Sequence, residues 1–168
     1  MGDQMITFDQ GEARFNLRVV GVALDTARVL LHRGEKDDFW TLPGGRGEML
    51  EPARETLRRE MREELRVAVQ VGRLLWVVEN FFHYDGKSYH ELALYFLMSL
   101  PRGSRLRSLD EFEGSELLDG GATLKLLFKW FPLGGLEGIA LYPTFLRQGL
   151  KSLPTTTEHI VHRDGELA

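Results

Sequence analysis

The chain has 168 residues, 43% of them hydrophobic, and its 21 basic and 25 acidic side chains give a formal net charge of −4. This composition predicts one globular domain over residues 1–168, and the acidic balance argues against nonspecific binding to nucleic acid, which needs a basic surface. The sequence contains no cysteine, which excludes a disulfide framework and a thiolate zinc site.

The cellular compartment is predicted from the N-terminal region and the apolar runs. Residues 1–12 have neither the basic start nor the apolar core of a signal peptide. No apolar run approaches the length of a membrane span. We therefore expect a cytoplasmic protein with no membrane partner.

The first predicted elements are strands. A short edge strand is predicted at residues 6–8, and a β-hairpin at residues 16–24 and 28–32, with Asp25-Thr26 as its turn. A polar loop at residues 33–38 then leads to a short strand at 39–42 and to the turn Pro43-Gly44-Gly45.

A helix is predicted to follow this turn and to end near Leu65. Pro52 suits its first turn, where the missing N–H costs nothing. Arg66 falls where a helix usually places a glycine in the left-handed conformation, at a penalty of about 1 kcal/mol. The apolar stripe that packs this helix recurs every four residues and consists of Ala53, Leu57, Met61 and Leu65.

Two long strands at residues 74–82 and 88–100 are predicted to form the next hairpin. With its turn centred on Asp85-Gly86, Asn80 lies opposite Glu91, so that Glu79 and Glu91 project from opposite faces. Apolar residues on both faces of the second strand favour a sheet covered on both sides.

The last part of the chain begins with a long polar segment at residues 101–121, predicted as a loop. A strand at 123–131, a helix at 141–153 and a last strand at 157–162 follow. The order of elements predicts an α/β (α+β) fold in which a mixed sheet lies between helical layers.

Three glutamates of the first helix carry the chemistry of this sequence. Glu60, Glu63 and Glu64 stand at i, i+3 and i+4, which places their carboxylates on one helix face. Like charges so placed repel, and a divalent cation such as Mg²⁺, which takes carboxylate oxygens and substrate phosphates as ligands, relieves that repulsion. An ordinary ion-paired surface helix needs neither this acidic face nor the glycine turn before it.

The same region resembles the signature of the Nudix hydrolases. Gly45, five residues, Glu51, seven residues and then the run from Arg59 to Val67 reproduce its fixed spacing, and Arg66 is the one specified position that departs, where the family has glycine. Leu50 also stands where many members have glycine. The resemblance implies an α/β/α sandwich with a central mixed sheet.

The resemblance also implies an activity and roles for residues. It implies hydrolysis of the diphosphate in a nucleoside diphosphate linked to another group X, with Mg²⁺ (or Mn²⁺ as a substitute) neutralising charge on the phosphoryl oxygens. Arg59 is expected to pair with Glu51 and brace the helix against the loop. The backbone of Gly44 is expected to join the metal site. Catalysis and metal binding are both expected of the side chains of Glu60, Glu63 and Glu64.

Substrate contacts outside the motif are predicted from side-chain type. Arg18 and Arg33 are candidates to meet phosphate, and aromatic side chains are candidates to stack a base, namely Trp40, Phe81, Phe82, Tyr84 and Trp130. Gly45 is expected to lie against the substrate. One further glutamate outside the motif is expected to act as a base or ligand, and its candidates are Glu79, Glu91, Glu113 and Glu116.

The substrate itself stays open at this stage. A nucleoside triphosphate, a nucleotide sugar, ADP-ribose and a dinucleotide all contain the required linkage, and a homodimer is possible because many relatives dimerise. The alternative is a Nudix-fold module that binds a nucleotide without turnover. The presence of all three glutamates favours catalysis.

Overall fold

The computed structural model describes residues 4–118 and 120–166, so that part of the N-terminal stretch and one position of the long polar segment lie outside the described residues. Within these ranges the chain forms nine strands and two α-helices. Two 3₁₀ helices, Arg105–Arg107 and Leu133–Gly138, connect them. In chain order the elements are β1 Thr7–Gln10, β2 Ala13–Asp25, β3 Arg28–Gly34, β4 Gly44–Arg46, α1 Ala53–Leu65, β5 Gln70–Tyr84, β6 Lys87–Ser99, β7 Glu111–Leu117, β8 Thr123–Pro132, α2 Leu146–Gly149 and β9 Glu158–Glu166.

The strands form a mixed sheet in the order β7-β8-β3-β2-β6-β5-β9, and β1 and β4 also pair with β2. The pairs β2–β6 and β5–β9 are parallel, and the other pairs are antiparallel. The large mixed sheet with few helices confirms the predicted fold class. The predicted register of the β5–β6 hairpin is also confirmed, because Asn80 lies opposite Glu91.

The sheet opens between β2 and β3. These two strands pair only next to their turn, where Leu24 faces Val29 and Asp25 faces Arg28. Farther along, β3 pairs with β8, while β4 pairs with β2 at residues 18–20. A cleft therefore runs along the seam where β2 and β3 separate.

Each face of the sheet has a hydrophobic core. Leu57 and Met61 of α1 pack on one face with Val19, Leu30 and Phe128, as the apolar stripe predicts. The other face packs against the second 3₁₀ helix and α2 through Leu136, Leu141, Leu146 and Leu150, with Trp76 and Tyr95 from the sheet. The first of these cores holds α1 against the sheet. None of the described helices is long and apolar enough to cross a membrane.

Several predicted boundaries are wrong. In the predicted strand at 39–42 only Trp40 and Thr41 form isolated bridges, and the glycine turn contains β4 instead. The long polar segment contains β7, whose partner in β8 supplies its hydrogen bonds. The helix predicted at 141–153 is reduced to α2, and Pro52 precedes α1 as its N-cap. The hairpin turn consists of Thr26 and Ala27 instead of Asp25 and Thr26, because Asp25 already pairs with Arg28.

Candidate active site

A cleft of about 450 Å³ follows the seam between the two parts of the sheet. Its lining residues come from strands β2 to β9, from α1 and from the segments around residues 37–42 and 142–143. Its charged lining residues are acidic in excess: Asp37, Glu60, Glu64, Glu91, Glu116 and Asp164 against Arg18, Arg33 and Arg46.

Glu60 and Glu64 reach this cleft from the buried face of α1. They are 7% and 5% exposed. Burial raises the pKa of Glu60, and Arg59 opposes this shift. Burial raises the pKa of Glu64 well above its ordinary value, and the nearby carboxylates of Glu60 and Glu116 raise it further. Ionising both side chains in this wall therefore requires a positive charge beside them.

Arg59 holds the acidic end of α1 to the preceding loop. Its Nε donates to Oε2 of Glu51 at 3.0 Å and lies 3.3 Å from Oε1 of Glu48. Its Nη1 donates to Oε1 of Glu60 at 2.8 Å, and its Nη2 donates to the backbone oxygen of Arg46 at 3.1 Å. One guanidinium thus ties helix, loop and β4 together.

Glu63, expected in the same group, occupies a different environment. Its side chain is 59% exposed, and Nη1 of Arg59 donates to its Oε2 at 3.3 Å. It does not line the cleft. The structure thus brings Glu60 and Glu64 together at the cleft and leaves Glu63 at its rim beside Arg59.

Gly44 and Gly45 allow β4 to pass between β2 and α1. A Cβ on Gly44 would lie 2.1 Å from the backbone oxygen of Val19, and one on Gly45 would lie 2.1 Å from the Glu60 carboxyl carbon. No side chain fits at either position, and both residues line the cleft. Their backbone is therefore available to a ligand beside Glu60.

The acidic wall, formed by Glu60 and Glu64, suits a hard divalent cation, because such cations take carboxylate oxygens as ligands. Among residues 4–118 and 120–166, no group of three or more histidine or acidic side chains is gathered closely enough to hold a metal ion in this conformation. Oε2 of Glu64 is nevertheless buried without a hydrogen-bond partner, and Glu60 repels it. Two buried carboxylates, one with an unsatisfied oxygen, are ligands of the kind that Mg²⁺ takes.

The predicted substrate contacts divide between the cleft and other surfaces. Arg33, Gly45 and Glu91 line the cleft. Trp40 does not, because its ring packs against Phe131 and under Arg33. Phe81 is turned to the opposite face of β5, where it contacts His90 and Arg163. The structure therefore corrects the expected base stacking on Trp40 and on Phe81.

The other aromatic and acidic candidates divide in the same way. Phe82 and Tyr84 line the cleft, whereas the indole of Trp130 donates to the backbone oxygen of Leu106 away from it. Of the four glutamates considered outside the motif, Glu91 and Glu116 line the cleft. The remaining two form surface pairs, Glu79 with His159 and Glu113 with Lys125.

The polar cleft residues that sequence reasoning missed include His32, Asn80 and Asp164. The first two are buried, and a polar residue at an inward-facing position of an apolar strand would have indicated them. Asp164 accepts hydrogen bonds from the backbone N–H of Thr144 at 3.1 Å and from its hydroxyl at 2.6 Å. This contact joins distant parts of the chain, so no local pattern indicates it.

The chain is similar to one known family and to several solved structures. A family model described as NUDIX domain matches residues 15–143, and no curated protein sequence matches the chain. An ADP-ribose pyrophosphatase from Streptococcus suis superposes with a TM-score of 0.57 at 17% identity, covering 87% of this chain and 98% of that one. A UDP-X diphosphatase gives 0.57 at 20% identity, covering 86% and 66%. A NUDIX hydrolase from Nitrosomonas europaea gives 0.55 at 18% identity, covering 89% and 79%. At these identities the likeness shows a shared fold.

Proposed function

Because the chain belongs to the NUDIX domain family of hydrolases, we propose that it hydrolyses the diphosphate linkage of a nucleoside diphosphate joined to another group, and that it does so with Mg²⁺. The candidate substrates are a nucleoside triphosphate, a nucleotide sugar, ADP-ribose and a dinucleotide. The neighbours described as an ADP-ribose pyrophosphatase and a UDP-X diphosphatase support this range.

The observation that carries the proposal is the pair of buried carboxylates at the wall of the cleft. With six acidic and three basic lining residues, the cleft offers an anionic diphosphate few positive partners. A divalent cation at Glu60 and Glu64 reverses this, because it makes their ionised forms favourable and offers the diphosphate a positive partner. The acidic wall is thus understandable as a cation site that a phosphorylated substrate shares.

The side chains around the cation site have distinct tasks in this proposal. Glu60 and Glu64 bind the cation, and the backbone of Gly44 lies beside them. Arg18 faces the same carboxylates from β2 and lowers the pKa of Glu60 and of Glu64. The guanidinium of Arg18 is therefore placed to bind a phosphoryl oxygen next to the acidic wall.

When bound, the cation would stabilise charge on the phosphoryl oxygens and would lower the pKa of a bound water. Arg59 keeps α1 and β4 in register so that Glu60 and the glycine backbone face each other. Glu63, held at the rim by Arg59, is proposed as a further ligand or as an aid to water activation. Glu91 is proposed as the additional cleft carboxylate that contacts substrate.

A nucleotide panel tests the proposal. ADP-ribose, UDP-sugars, nucleoside triphosphates and dinucleoside polyphosphates are incubated with the full-length protein and Mg²⁺ or Mn²⁺, and products are separated by chromatography. We expect hydrolysis of at least one class and a loss of at least about 100-fold in Glu64→Gln, since one cation ligand contributes several kcal/mol of transition-state stabilisation. Glu79→Gln, which changes a glutamate on the outer face, is the matched control.

The panel also separates hydrolysis from simple binding. If the wild-type protein binds a nucleotide tightly but never exceeds the rate of Glu64→Gln, the chain is a binding module without turnover, and the proposed hydrolysis is wrong. If both wild type and Glu79→Gln hydrolyse the same substrate at similar rates while Glu64→Gln does not, the acidic wall is the site of reaction.

A further inference from the structure

His32 is a buried residue of the cleft to which the proposed hydrolysis assigns no task. It lies in β3, where its backbone N–H and C=O both bond to Thr41 at 2.9 Å. Its ring packs on Phe128 with centroids 5.2 Å apart, and Phe128 is fully buried. The imidazole is therefore held in place by its strand and by its neighbour.

The ring presents one nitrogen to the acidic wall. Nδ1 of His32 lies 3.9 Å from Oε2 of Glu64. Both atoms are buried, and neither has a hydrogen-bond partner. An unsatisfied polar atom in such a place costs about 1–3 kcal/mol. Two of them side by side therefore indicate an interaction that a small movement completes.

The geometry limits what that interaction is. The two atoms are about 1 Å too far apart for an N–H···O bond, and both are buried. A rotation of the Glu64 carboxyl that moves Oε2 by about 1 Å toward Nδ1 brings the two atoms within hydrogen-bond range. A neutral imidazole has one N–H donor, and the tautomer with hydrogen on Nδ1 supplies it.

Burial disfavours the charged form of the imidazole: it lowers the pKa of His32 to about 3, and the charge of Arg18 acts in the same direction. The donor role follows from the position of Nδ1 beside Oε2 of Glu64 and from the tautomer.

We propose that His32 is a positioning residue for Glu64: its Nδ1–H donates to Oε2, and this bond fixes the orientation of the carboxylate toward the cleft. The inference rests on the proposed function, because it assumes that Glu64 is a cation ligand. Ligands whose second oxygen or nitrogen is held in this way bind metal about 10–100-fold more tightly than unsupported ones.

Two variants separate the hydrogen bond from packing. His32→Asn retains an N–H donor near the position of Nδ1, whereas His32→Leu has a similar length and no donor. The probe is Mn²⁺ alone, with its dissociation constant measured by electron paramagnetic resonance on the full chain. We expect His32→Leu to bind Mn²⁺ about 10–100-fold more weakly than wild type and His32→Asn to remain within about 3-fold, because the donor is restored.

A second measurement on the wild-type protein does not depend on any variant. Nitrogen-detected NMR of the histidine rings, recorded with and without Mg²⁺, should show the His32 ring with hydrogen on Nδ1 and a change of its Nδ1–H resonance when Mg²⁺ is added. A ring with hydrogen on Nε2 overturns the proposal, since Nδ1 then has nothing to donate.

The remaining outcomes are equally decisive. Equal Mn²⁺ affinity in wild type and His32→Leu overturns the positioning role, and so does an equal loss in His32→Asn and His32→Leu. A nitrogen coupling in the pulsed spectrum of bound Mn²⁺ shows that the imidazole is a direct ligand, which also overturns it. If the wild-type protein binds no Mn²⁺ and hydrolyses nothing, the proposed function is overturned as well. If the wild-type protein binds Mn²⁺ and hydrolyses its substrate, and His32→Leu changes neither, only this inference is overturned.

Discussion

At the scale of single residues, Arg59 is the side chain on which the acidic end of α1 depends. Its guanidinium contacts four carboxylates and one backbone oxygen through all three of its nitrogen atoms. A lysine ammonium is a single point charge and cannot reproduce this set of contacts. The shape of the Arg59 guanidinium is therefore more important for these contacts than its charge alone.

We expect Arg59→Lys to lower kcat/KM of the proposed hydrolysis by about 100-fold, because a misplaced Glu60 loses the geometry that cation binding requires. Steady-state kinetics on the substrate found by the nucleotide panel measure this. Arg58→Lys is the matched control, since Arg58 pairs with the exposed Glu55 on the same helix. Similar losses in both variants contradict a special role for Arg59.

The buried carboxyl of Glu91 gives a prediction about pH. Burial raises its pKa, and the charge of Arg18 and hydrogen bonds from neighbouring asparagines oppose this only in part. A carboxyl whose pKa is higher in the folded state holds its proton more tightly there. Its contribution to the free energy of unfolding is therefore present below the ordinary glutamate pKa and is lost as the pH rises through the folded-state pKa.

Glu91→Gln removes this ionisation while keeping a hydrogen-bonding side chain. We expect the free energy of unfolding of Glu91→Gln to increase relative to that of wild type as the pH rises above the ordinary glutamate pKa of about 4. Urea unfolding without added metal at several pH values measures the difference. A difference between the two proteins that stays constant with pH shows that the pKa of Glu91 is not raised.

At the scale of elements, α1 shows how much the sequence determines locally. Its apolar stripe, its end at Leu65 and the left-handed Arg66, at φ 58°, follow from residue spacing and helix-end chemistry alone. The register of β5 and β6 follows from Asp85-Gly86. These features depend on residues close in sequence, and for that reason they were predictable.

Other elements depend on partners that the sequence does not reveal. The polar residues of β7 suggest a loop, yet β8 supplies a strand partner and Gly114 permits contact with α1, since a Cβ there would lie 2.8 Å from the backbone oxygen of Glu64. Trp40 was a candidate to stack a base, but its ring packs against Phe131 in an edge-to-face contact. The acidic wall was predictable from the motif, whereas the cleft residues His32 and Asp164 were not.

The left-handed end of α1 provides a prediction about stability. We expect Arg66→Gly to raise the free energy of unfolding by about 1 kcal/mol, because glycine adopts this conformation without the steric cost of a side chain. Leu50→Gly, at φ 67° with a side chain that is 97% exposed, should act in the same direction without losing buried area. Chemical denaturation measures both. A destabilised Arg66→Gly would show that the arginine stabilises the helix end by more than the backbone cost.

At the scale of the whole molecule, the cleft exists because two parts of one sheet separate after a short common hairpin. Its acidic lining comes from strands on both sides and from α1, so a cation at α1 changes the electrostatic balance of the entire seam. Binding to the folded state alone stabilises that state by mass action, by about 2.7 kcal/mol at a concentration 100 times the dissociation constant. The unfolded chain has no such arrangement of carboxylates.

We therefore expect Mg²⁺ at that concentration to raise the melting temperature of the metal-free protein by roughly 5–10 °C, measured by thermal unfolding after treatment with a chelator. Glu64→Gln should lose most of this shift, because it removes a buried ligand. Glu79→Gln should keep it, because that carboxylate pairs with His159 on the outer face. A full shift in Glu64→Gln would mean that the cation binds elsewhere, and the acidic wall of α1 would then need another explanation. A shift that disappears only in Glu64→Gln would place the stabilising cation in the cleft independently of any measurement of activity.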